Sequence, residues 1–228
     1  SEMVRFSRTG GEANAIAIRI ARASSGKDNI AVCGYHGWHD WYLSSNIQNP
    51  NNLNNHLMTN LKINGTPKKL KNTVFTFEYN DFNELKRLVK SKNIGTIKME
   101  VERDEKPKNN FLKKVRELAT KNNIVLIFDE CTSGFRSNLG GIHLKYKVIP
   151  DIAIFGKALG NGYAINAIIG KRSVMEAANK SFISSTFWTE RIGSVAAIET
   201  LRIMKSLNSW TIISNAGRDI KKKMEYNF

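Results

Sequence analysis

The sequence contains no long apolar segment. No run within its 228 residues approaches the ~20 consecutive apolar residues that a membrane-spanning helix requires. It also lacks a basic stretch leading into an apolar one, which is typical of a secretory leader. These two absences predict a cytoplasmic protein without membrane partners.

Cysteine is scarce. The two cysteines, Cys33 and Cys131, lie far apart within apolar, strand-like segments. Two residues cannot build the disulfide framework of a small secreted domain, and their spacing is not that of a zinc site. We expect both to be buried, reduced thiols, which again fits the cytoplasm.

Histidine is also rare, with four residues in the chain. His36, His39 and Asp40 are close enough in sequence to suggest a metal site. Gly37, however, argues against the helix that would place both histidines on one face. We therefore predict no metal.

Acidic residues are few compared with basic ones. The chain has 20 Asp and Glu against 35 Lys and Arg, which gives a formal net charge of +15. Such a charge is one feature of proteins that bind nucleic acid or other polyanions. Most of the lysines, however, are spread along the chain, and no nucleic-acid-binding motif accompanies them. The distribution favours a solvated basic surface and no nucleic-acid partner, with polyanion binding kept as an alternative.

Apolar runs of two kinds alternate along the chain. Short runs bounded by turn residues are typical of buried strands, and apolar residues at helical spacing indicate helices. We predict strands at 30–33, 73–77, 94–99, 124–130, 151–157 and 163–169. We predict helices at 12–25, 81–91, 111–121, 172–178, 192–207 and 210–223, and a loop in the asparagine-rich segment 44–66. This alternation predicts an α/β fold with a mostly parallel central sheet and helices on both faces.

An aspartate and a lysine close two of the apolar runs. Asp129 ends the run that begins at Ile124, and Lys157, 28 positions later, ends the run that begins at Asp151. Sheets of this kind bind ligands at the carboxyl ends of their strands, so we expect an acid and an amine in one crevice. Pyridoxal phosphate needs this pair, because a lysine forms its Schiff base and a carboxylate keeps its pyridine nitrogen protonated. Ordinary turns also end in such residues, so other segments must support this interpretation.

Three further segments suit the same cofactor. Thr9, Gly10 and Gly11 lead directly into a helix, where close backbone approach and free amides favour a phosphate; a plain turn capped by Thr9 is the alternative. The sequence G-x-x-x-x-G-K-[ST] of nucleoside-triphosphate loops is absent. Tyr35 is an aromatic residue able to stack on a flat ring. Thr186 is either a second phosphate ligand or a helix-start residue.

Four ordered signatures resemble those of class III pyridoxal-phosphate aminotransferases, most closely the glutamate-1-semialdehyde aminomutases and their relatives. They are Thr9-Gly10-Gly11-Glu12-Ala13; Tyr35-His36-Gly37; Leu126-Ile127-Phe128-Asp129-Glu130 with Gly134-Phe135-Arg136; and Pro150-Asp151 through Gly156-Lys157-Ala158-Leu159-Gly160. The resemblance covers the whole chain and implies the large domain of a fold-type I pyridoxal-phosphate transferase. Because the family's chains are longer at both ends, we expect a fragment. Residues 1–207 would form the cofactor-binding domain, and 208–228 a helix leading to a C-terminal small domain.

The resemblance also implies roles for individual residues. Lys157 forms the Schiff base and, once freed by substrate, moves a proton between substrate and cofactor carbons. Asp129 pairs with the pyridinium nitrogen and Tyr35 covers the ring, while Gly10 and Gly11 supply amides to the phosphate. The other residues implied at the cofactor are Thr9, His36, Glu100, Cys131 and Thr186, the last from the neighbouring subunit of a homodimer.

Three positions depart from the family pattern. Cys131 stands where a valine commonly packs beneath the ring, and it is a small apolar substitute. Gly11 replaces a hydroxyl residue of the phosphate loop, which removes one hydrogen bond. Residues 188–191 replace the Ser-Gly-Asn-Pro that commonly follows the phosphate threonine in the aminomutases. This last change puts the aminomutase substrate in doubt and makes Trp188 and Arg191 candidates for substrate contacts, although Arg191 also suits a salt bridge to a nearby acid.

Together these features predict a pyridoxal-phosphate-dependent aminotransferase that moves an amino group from an amino donor to a carbonyl acceptor. The alternative within the family is a glutamate-1-semialdehyde 2,1-aminomutase, which completes both half-reactions on one molecule. The alternatives from other classes are a catalytically incomplete fragment and a polyanion-binding protein.

Overall fold

A computed structural model describes residues 1–102 and 104–227, without the side chains of residues 226 and 227. Within these residues, the strands of one sheet are β1 (Met3–Ser7), β2 (Asn29–Cys33), β3 (Val74–Thr76), β4 (Ile94–Glu100), β5 (Val125–Asp129), β6 (Ile152–Phe155) and β7 (Asn166–Gly170). The α-helices are α1 (Gly10–Ser25), α2 (Asp40–Leu43), α3 (Phe82–Ser91), α4 (Phe111–Lys121), α5 (Arg172–Met175), α6 (Arg191–Leu207) and α7 (Ser209–Asn227). Short 3-10 helices span Ser44–Ile47, Lys68–Leu70, Ile142–Leu144, Lys157–Leu159 and Glu176–Lys180.

The strands lie in the order β1-β7-β6-β5-β4-β2-β3. Strands β2 to β6 are mutually parallel, whereas β7 runs antiparallel to both β6 and β1. The predicted α/β fold with a mostly parallel sheet is therefore confirmed. The sequence-based prediction lacks β1 and begins β7 too early, at Tyr163. Residues 160–165 instead form a turn, in which the amide of Tyr163 donates to the carbonyl of Gly160 at 3.0 Å.

Helix α1 shows why the local sequence folds as predicted. Thr9 and Glu12 form a capping box at its amino end, and Gly26 ends it in the left-handed conformation at φ 65°. The predicted apolar face is buried, and it comprises Ala13, Ile16, Ala17, Ile20 and Ala21. The helix begins at Gly10, two residues before its predicted start, so both glycines belong to its first turn.

The core lies on both faces of the sheet. On β5, Val125 and Ile127 pack in one cluster with α1, whereas Leu126 and Phe128 pack in another with residues of α3 and α4. Helices therefore cover both faces, as predicted. Because side chains alternate along a strand, Asp129 falls on the face that α1 covers.

The asparagine-rich segment 44–66 is a loop, as predicted, but it packs against the domain. Leu53 is fully buried and His56 is 6% exposed. The amide of Leu53 donates to Oδ1 of Asn46 at 2.9 Å. Asparagine also closes many turns elsewhere, since nine of the twelve non-glycine residues with positive φ in the described part are asparagines. Asparagine tolerates the left-handed conformation better than other residues with a Cβ.

The helical end of the described chain matches its prediction in outline. Helix α5 stops at Met175, where the helix predicted to 178 continues as a 3-10 turn. Helix α6 ends at Leu207, and Asn208 separates it from α7 with a φ of 53°. The division into domains at this point stays a prediction. Among the described residues, no helix has both the length and the hydropathy for a membrane crossing.

Candidate active site

Asp129 is a buried carboxylate at the carboxyl end of β5, and it is 4% exposed. Its Oδ2 lies 2.9 Å from Nδ1 of His36 and 3.4 Å from Nζ of Lys98. Its Oδ1 accepts a hydrogen bond from the amide of Cys131 at 3.1 Å. Burial alone would raise the pKa of this carboxyl, but Lys98 and then His36 outweigh burial and hold the pKa well below its usual range. Asp129 is thus ionised, and Oδ1 keeps one acceptor position open.

His36 lies between Asp129 and the end of β2. Its ring is 1% exposed, stacks on Trp41, and places Nε2 3.0 Å from the carbonyl oxygen of Cys33. Burial, followed by the positive charge of Lys98, lowers the pKa of this imidazole to about 4, against the opposing effect of Asp129. Burial and Lys98 thus disfavour a proton on His36.

Lys157 presents its amine from the turn that follows β6. Its Nζ is exposed and donates to Oγ1 of Thr132 at 2.7 Å. Its φ of 43° is in the left-handed region, which a lysine rarely adopts. The preceding Gly156 is required by packing, because a Cβ there would lie 2.0 Å from Oδ1 of Asn166. The turn is strained and closely packed, and it directs the amine away from the core.

The amino end of α1 forms a cradle of backbone amides. Oγ1 of Thr9 accepts from the amide of Glu12, and Oε2 of Glu12 accepts from the amide of Thr9, both at 3.2 Å. The amides of Gly10 and Gly11 begin the helix, where N–H groups have no carbonyl partner within it. A Cβ on Gly11 would lie 2.6 Å from Nε2 of His39. The imidazole of His39 therefore fills the space of a side chain at Gly11.

Tyr35 lies on the loop after β2, and Glu100 holds this loop. Oε2 of Glu100, which is 7% exposed, accepts from the amide of Tyr35 at 2.9 Å. Gly34 adopts a φ of 99°, and a Cβ there would lie 2.6 Å from the same oxygen. The loop therefore packs directly on Glu100, while 38% of Tyr35 remains exposed.

One cavity contains part of this arrangement. It has a volume of about 310 Å³, and its lining includes Thr9, Gly10, Cys131 and Lys157. Burial, followed by the charge of Asp129, raises the pKa of the Cys131 thiol, which is therefore neutral. Residues far apart in sequence thus form one crevice beside the carboxyl ends of β5 and β6, where the sequence predicts a site.

Eight predicted residues lie outside this lining, and five of them belong to the parts described above: Gly11, Tyr35, His36, Glu100 and Asp129. The other three lie elsewhere. Thr186 is exposed, in a turn whose Phe187 ring lies 5.6 Å from the guanidinium of Arg8, a residue of the cavity. Trp188 is half-buried and packs against the core cluster of α1. Arg191 is exposed at the start of α6. Their functional roles stay predictions.

The sequence-based prediction lacks four residues that contact the site: Lys98, Thr132, Asn166 and His39 as a neighbour of Gly11. Lys98 carried a detectable signal, since it is a charged residue inside the apolar run of β4. The contacts of the other three depend on which loops meet, and no local pattern reveals that. Within the described residues, no group of three or more His, Cys, Asp or Glu side chains could hold a metal ion.

Comparison with known proteins identifies the family. A profile described as aminotransferase class III matches residues 1–226. The chain is 38% identical to the 3-aminobutyryl-CoA aminotransferase of Cloacimonas acidaminovorans, an alignment that covers 98% of this chain and 52% of the relative. It is 31% identical to the glutamate-1-semialdehyde 2,1-aminomutase of Sulfurisphaera tokodaii, with 99% and 55% covered. The chain therefore spans about half the length of the curated relatives it matches.

Solved structures agree with this result. An omega-transaminase from Sphaerobacter thermophilus is 27% identical and superimposes with a TM-score of 0.76 over 89% of this chain and 49% of that one. The FumI protein of Sphingopyxis sp. MTA144, solved in its PLP internal aldimine form, is 25% identical with a TM-score of 0.77 over 90% of this chain and 48% of that one. The predicted transferase fold and the predicted family are both confirmed. The chain belongs to the class III aminotransferases.

Proposed function

We propose that this chain is the cofactor-binding part of a pyridoxal-phosphate-dependent aminotransferase acting on an amino donor and a carbonyl acceptor. The observation that carries the proposal is the shared cavity. Its lining includes Lys157, Gly10 and Cys131, and the amide of Cys131 is bonded to the ionised Asp129.

The residues present fit the chemistry of this cofactor at three points. A phosphate needs unpaired donors, and the first amides of α1 supply them with the positive end of the helix dipole. A protonated pyridine nitrogen needs an anionic acceptor, and Asp129 is ionised with an acceptor position open. An aldehyde needs an amine, and Lys157 is exposed to the cavity.

Lys157 is the proposed catalytic residue. Bound pyridoxal phosphate supplies an aldehyde that condenses with amines and a ring that takes up the electron pair of a carbanion. With its amine free, Nζ of Lys157 would be placed to accept a proton from a substrate carbon and to give it back. The hydroxyl of Thr132, 2.7 Å from Nζ, holds this amine in position.

Asp129 is proposed to hold a proton on the ring nitrogen. A buried carboxylate that stays ionised does this better than one that binds the proton itself. His36 contacts Oδ2 of Asp129 and so fixes the position of the carboxylate. The neutral thiol of Cys131 would offer an apolar surface to the cofactor ring. Tyr35, fixed through its amide by Glu100, is proposed to cover the other face of the ring.

The phosphate is proposed to lie at the amino end of α1. Gly10 and Gly11 offer amides, while the hydroxyl of Thr9 is engaged in capping the helix. His39 occupies the space of the hydroxyl side chain that this family usually carries at Gly11, so its ring takes over that position. Thr186 is proposed to reach the phosphate of a second copy in a homodimer, in keeping with its exposure.

The Lys157 assignment is tested by reductive trapping. Borohydride fixes the cofactor on the amine with which it has condensed, and peptide mapping then identifies the modified lysine. We expect the label on Lys157 and none on a Lys157→Ala variant that binds cofactor phosphate but shows no lysine-dependent visible band. A label on another lysine of the unmodified chain would contradict the assignment.

The aminomutase remains the second candidate, because a relative of that name aligns over 99% of the chain. A mutase isomerises one compound and needs no separate carbonyl acceptor. An aminotransferase shows no net turnover of an amino donor unless an acceptor is added. Assaying glutamate-1-semialdehyde alone, and then donor and acceptor pairs, with the protein that contains this chain separates the two candidates.

Arg191 is proposed as a contact for a substrate carboxylate or phosphate. Two acids near Arg191 in sequence are engaged elsewhere: Glu190 caps α6, and Glu199 pairs with Arg202 at 2.6 Å. Arg191→Lys keeps the charge and loses the two-pronged geometry of the guanidinium. We expect higher Michaelis constants for an anionic donor or acceptor. Unchanged constants with lower stability would make the residue structural.

Two alternative functions can be tested with the same protein. A catalytically incomplete fragment binds no cofactor, and it gives no visible band when pyridoxal phosphate is added. A polyanion-binding protein predicts nucleic-acid affinity that falls steeply with salt. We propose neither, because the positive charge is dispersed and the cavity contains the chemistry of an aminotransferase.

A further inference from the structure

Lys98 is a buried lysine in the centre of the sheet. It lies on β4, two residues before Glu100, and so faces the same side as Asp129 on the neighbouring strand. Its side chain is 0% exposed, and Nζ lies 3.4 Å from Oδ2 of Asp129. Within the described residues, Nζ has no hydrogen-bond partner. Burying a lysine at this cost is unusual, and its only role described so far is to lower the pKa of Asp129.

The groups around Lys98 leave Asp129 as its counter-charge. Burial lowers the pKa of the Lys98 ammonium, and the groups that oppose burial are first Asp129 on β5, then Cys131 in the loop after β5 and Glu100 on its own strand. Helix α1, which packs over β4, contributes the apolar buried face that contains Ala13 and Ala17. One carboxylate oxygen therefore faces two possible cations, Lys98 and His36, at 3.4 Å and 2.9 Å.

A single carboxylate balances one of these two charges. The contacts of His36 would suit an imidazolium, because Asp129 and the carbonyl of Cys33 both face its ring nitrogens as acceptors. The aromatic rings of Trp41 and Tyr42 complete its surroundings without adding charge. The intrinsic pKa values of the two side chains favour the proton on Lys98 instead. In water a lysine binds its proton more strongly than a histidine by about four pKa units, a preference of roughly 10⁴, and here burial lowers the pKa of both groups.

We propose that Lys98 is a positioning residue that carries the positive charge balancing Asp129, so that His36 remains a neutral ring. Burial and the charge of Lys98 both oppose a proton on His36, in agreement with the direction of its pKa shift. The charge beside Asp129 is then the ammonium of Lys98, which the carboxylate at 3.4 Å stabilises against the effect of burial. Without Lys98, His36 would take over as the cation, and its titration near neutral pH would make the site pH-dependent.

The consequence for the cofactor rests on the proposed function. The ring nitrogen would meet a carboxylate that stays ionised beside the ammonium of Lys98. Lys98 would thus keep the proton off Asp129 and His36 and hold the site in one charge state while Lys157 exchanges protons.

The test uses the cofactor-free chain, so it does not depend on the proposed function. The four histidine rings are followed by ¹⁵N–¹H NMR from pH 8 to pH 4.5, and His36→Gln identifies the resonances of His36. In the unmodified chain we expect His36 to be neutral down to about pH 5. In Lys98→Met, which keeps length and removes charge, we expect its titration to move up by at least one and a half pH units. Lys113 lies on the exposed face of α4, on the other side of the sheet. Lys113→Met is therefore the matched control and should leave the titration of His36 unchanged.

Each result supports or overturns the inference. An imidazolium at His36 near pH 7 in the unmodified chain would show that His36 carries the charge, and it would overturn the proposal even if Lys98→Met does not fold. A His36 titration that Lys98→Met leaves unchanged would overturn it as well. If the chain binds no pyridoxal phosphate while the histidine results hold, the proposed function fails and the role of Lys98 in balancing Asp129 stands.

Discussion

Replacing Asp129 by asparagine should destabilise the protein by an amount that the buried charges set. Asparagine keeps the shape of the side chain and leaves Lys98 without the carboxylate 3.4 Å from its Nζ. Breaking a buried ion pair by removing one partner costs about 3–5 kcal/mol. Lys98 can escape by losing its proton, which at pH 7 costs about 1.36 kcal/mol for each of the ~3.4 units below its ordinary pKa, or ~4.6 kcal/mol. We expect a loss of about 3–5 kcal/mol in the free energy of unfolding.

The assay is urea unfolding of four proteins: unmodified, Asp129→Asn, Lys98→Met and the double variant. The double variant buries no charge at this point, so it should be more stable than Asp129→Asn, with a coupling energy of a few kcal/mol. The loss in Asp129→Asn should also shrink by about 1.4 kcal/mol per pH unit as the pH rises toward 10, because only the unfolded state still binds the lysine proton.

Asp151→Asn is the matched control. Asp151 is also buried, but its partners Lys171 and Arg116 are 47% and 19% exposed and can regain water when the carboxylate is lost, unlike the fully buried Lys98. Asp151→Asn should therefore lower the free energy of unfolding by less than Asp129→Asn does, and its loss should not shrink as the pH rises. If Asp129→Asn costs less than about 1 kcal/mol and Lys98→Met gives no rescue, the reasoning on buried charge is refuted.

Three further outcomes follow from the same geometry. Because the folded state lowers the pKa of His36 to about 4, only the unfolded state binds this proton between pH 6.5 and pH 4. The free energy of unfolding should therefore fall by about 3 kcal/mol as the pH is lowered through that window. A flat urea-unfolding profile would contradict this expectation. Gly11→Ser, which restores a hydroxyl, should cost about 1–3 kcal/mol because its Cβ meets Nε2 of His39, and His39→Ala in the same chain should recover part of the loss in thermal unfolding. Gly156→Ala should cost a similar amount by clashing with Asn166, and it should weaken cofactor binding by displacing the turn; spectral titration that matches the unmodified chain would show that the turn adapts.

Local sequence determined the framework of this protein. The periodicity of apolar residues, with Thr9 and Glu12 as a cap and Gly26 as a stop, was enough to place α1 and its buried face. The bounds of α4 agree with its prediction, since its pattern of apolar residues is strongly helical. Asp129 and Lys157 were predicted as a pair because strands of an α/β sheet end at a common edge, so position along the sequence already implies position at that edge.

Edges and turns were less predictable. β1 pairs only with β7, and both run at the antiparallel end of the sheet, where a short strand is defined by its partner. Its own five residues carry no distinct pattern. The same holds for the turn at 160–165, which reads as strand by composition and is bent by a hydrogen bond from Tyr163 to Gly160.

The chemical partners within the site were decided by tertiary structure. Nothing near Lys98 in sequence indicates that its ammonium would face Asp129, because that contact depends on the register of β4 against β5. Likewise, the loss of a hydroxyl at Gly11 appeared in the sequence as a missing hydrogen bond. The fold shows that His39, from a separate loop, occupies that space. Sequence patterns determine secondary structure because its hydrogen bonds are local, whereas charge balance and close packing depend on residues that only the folded chain brings together.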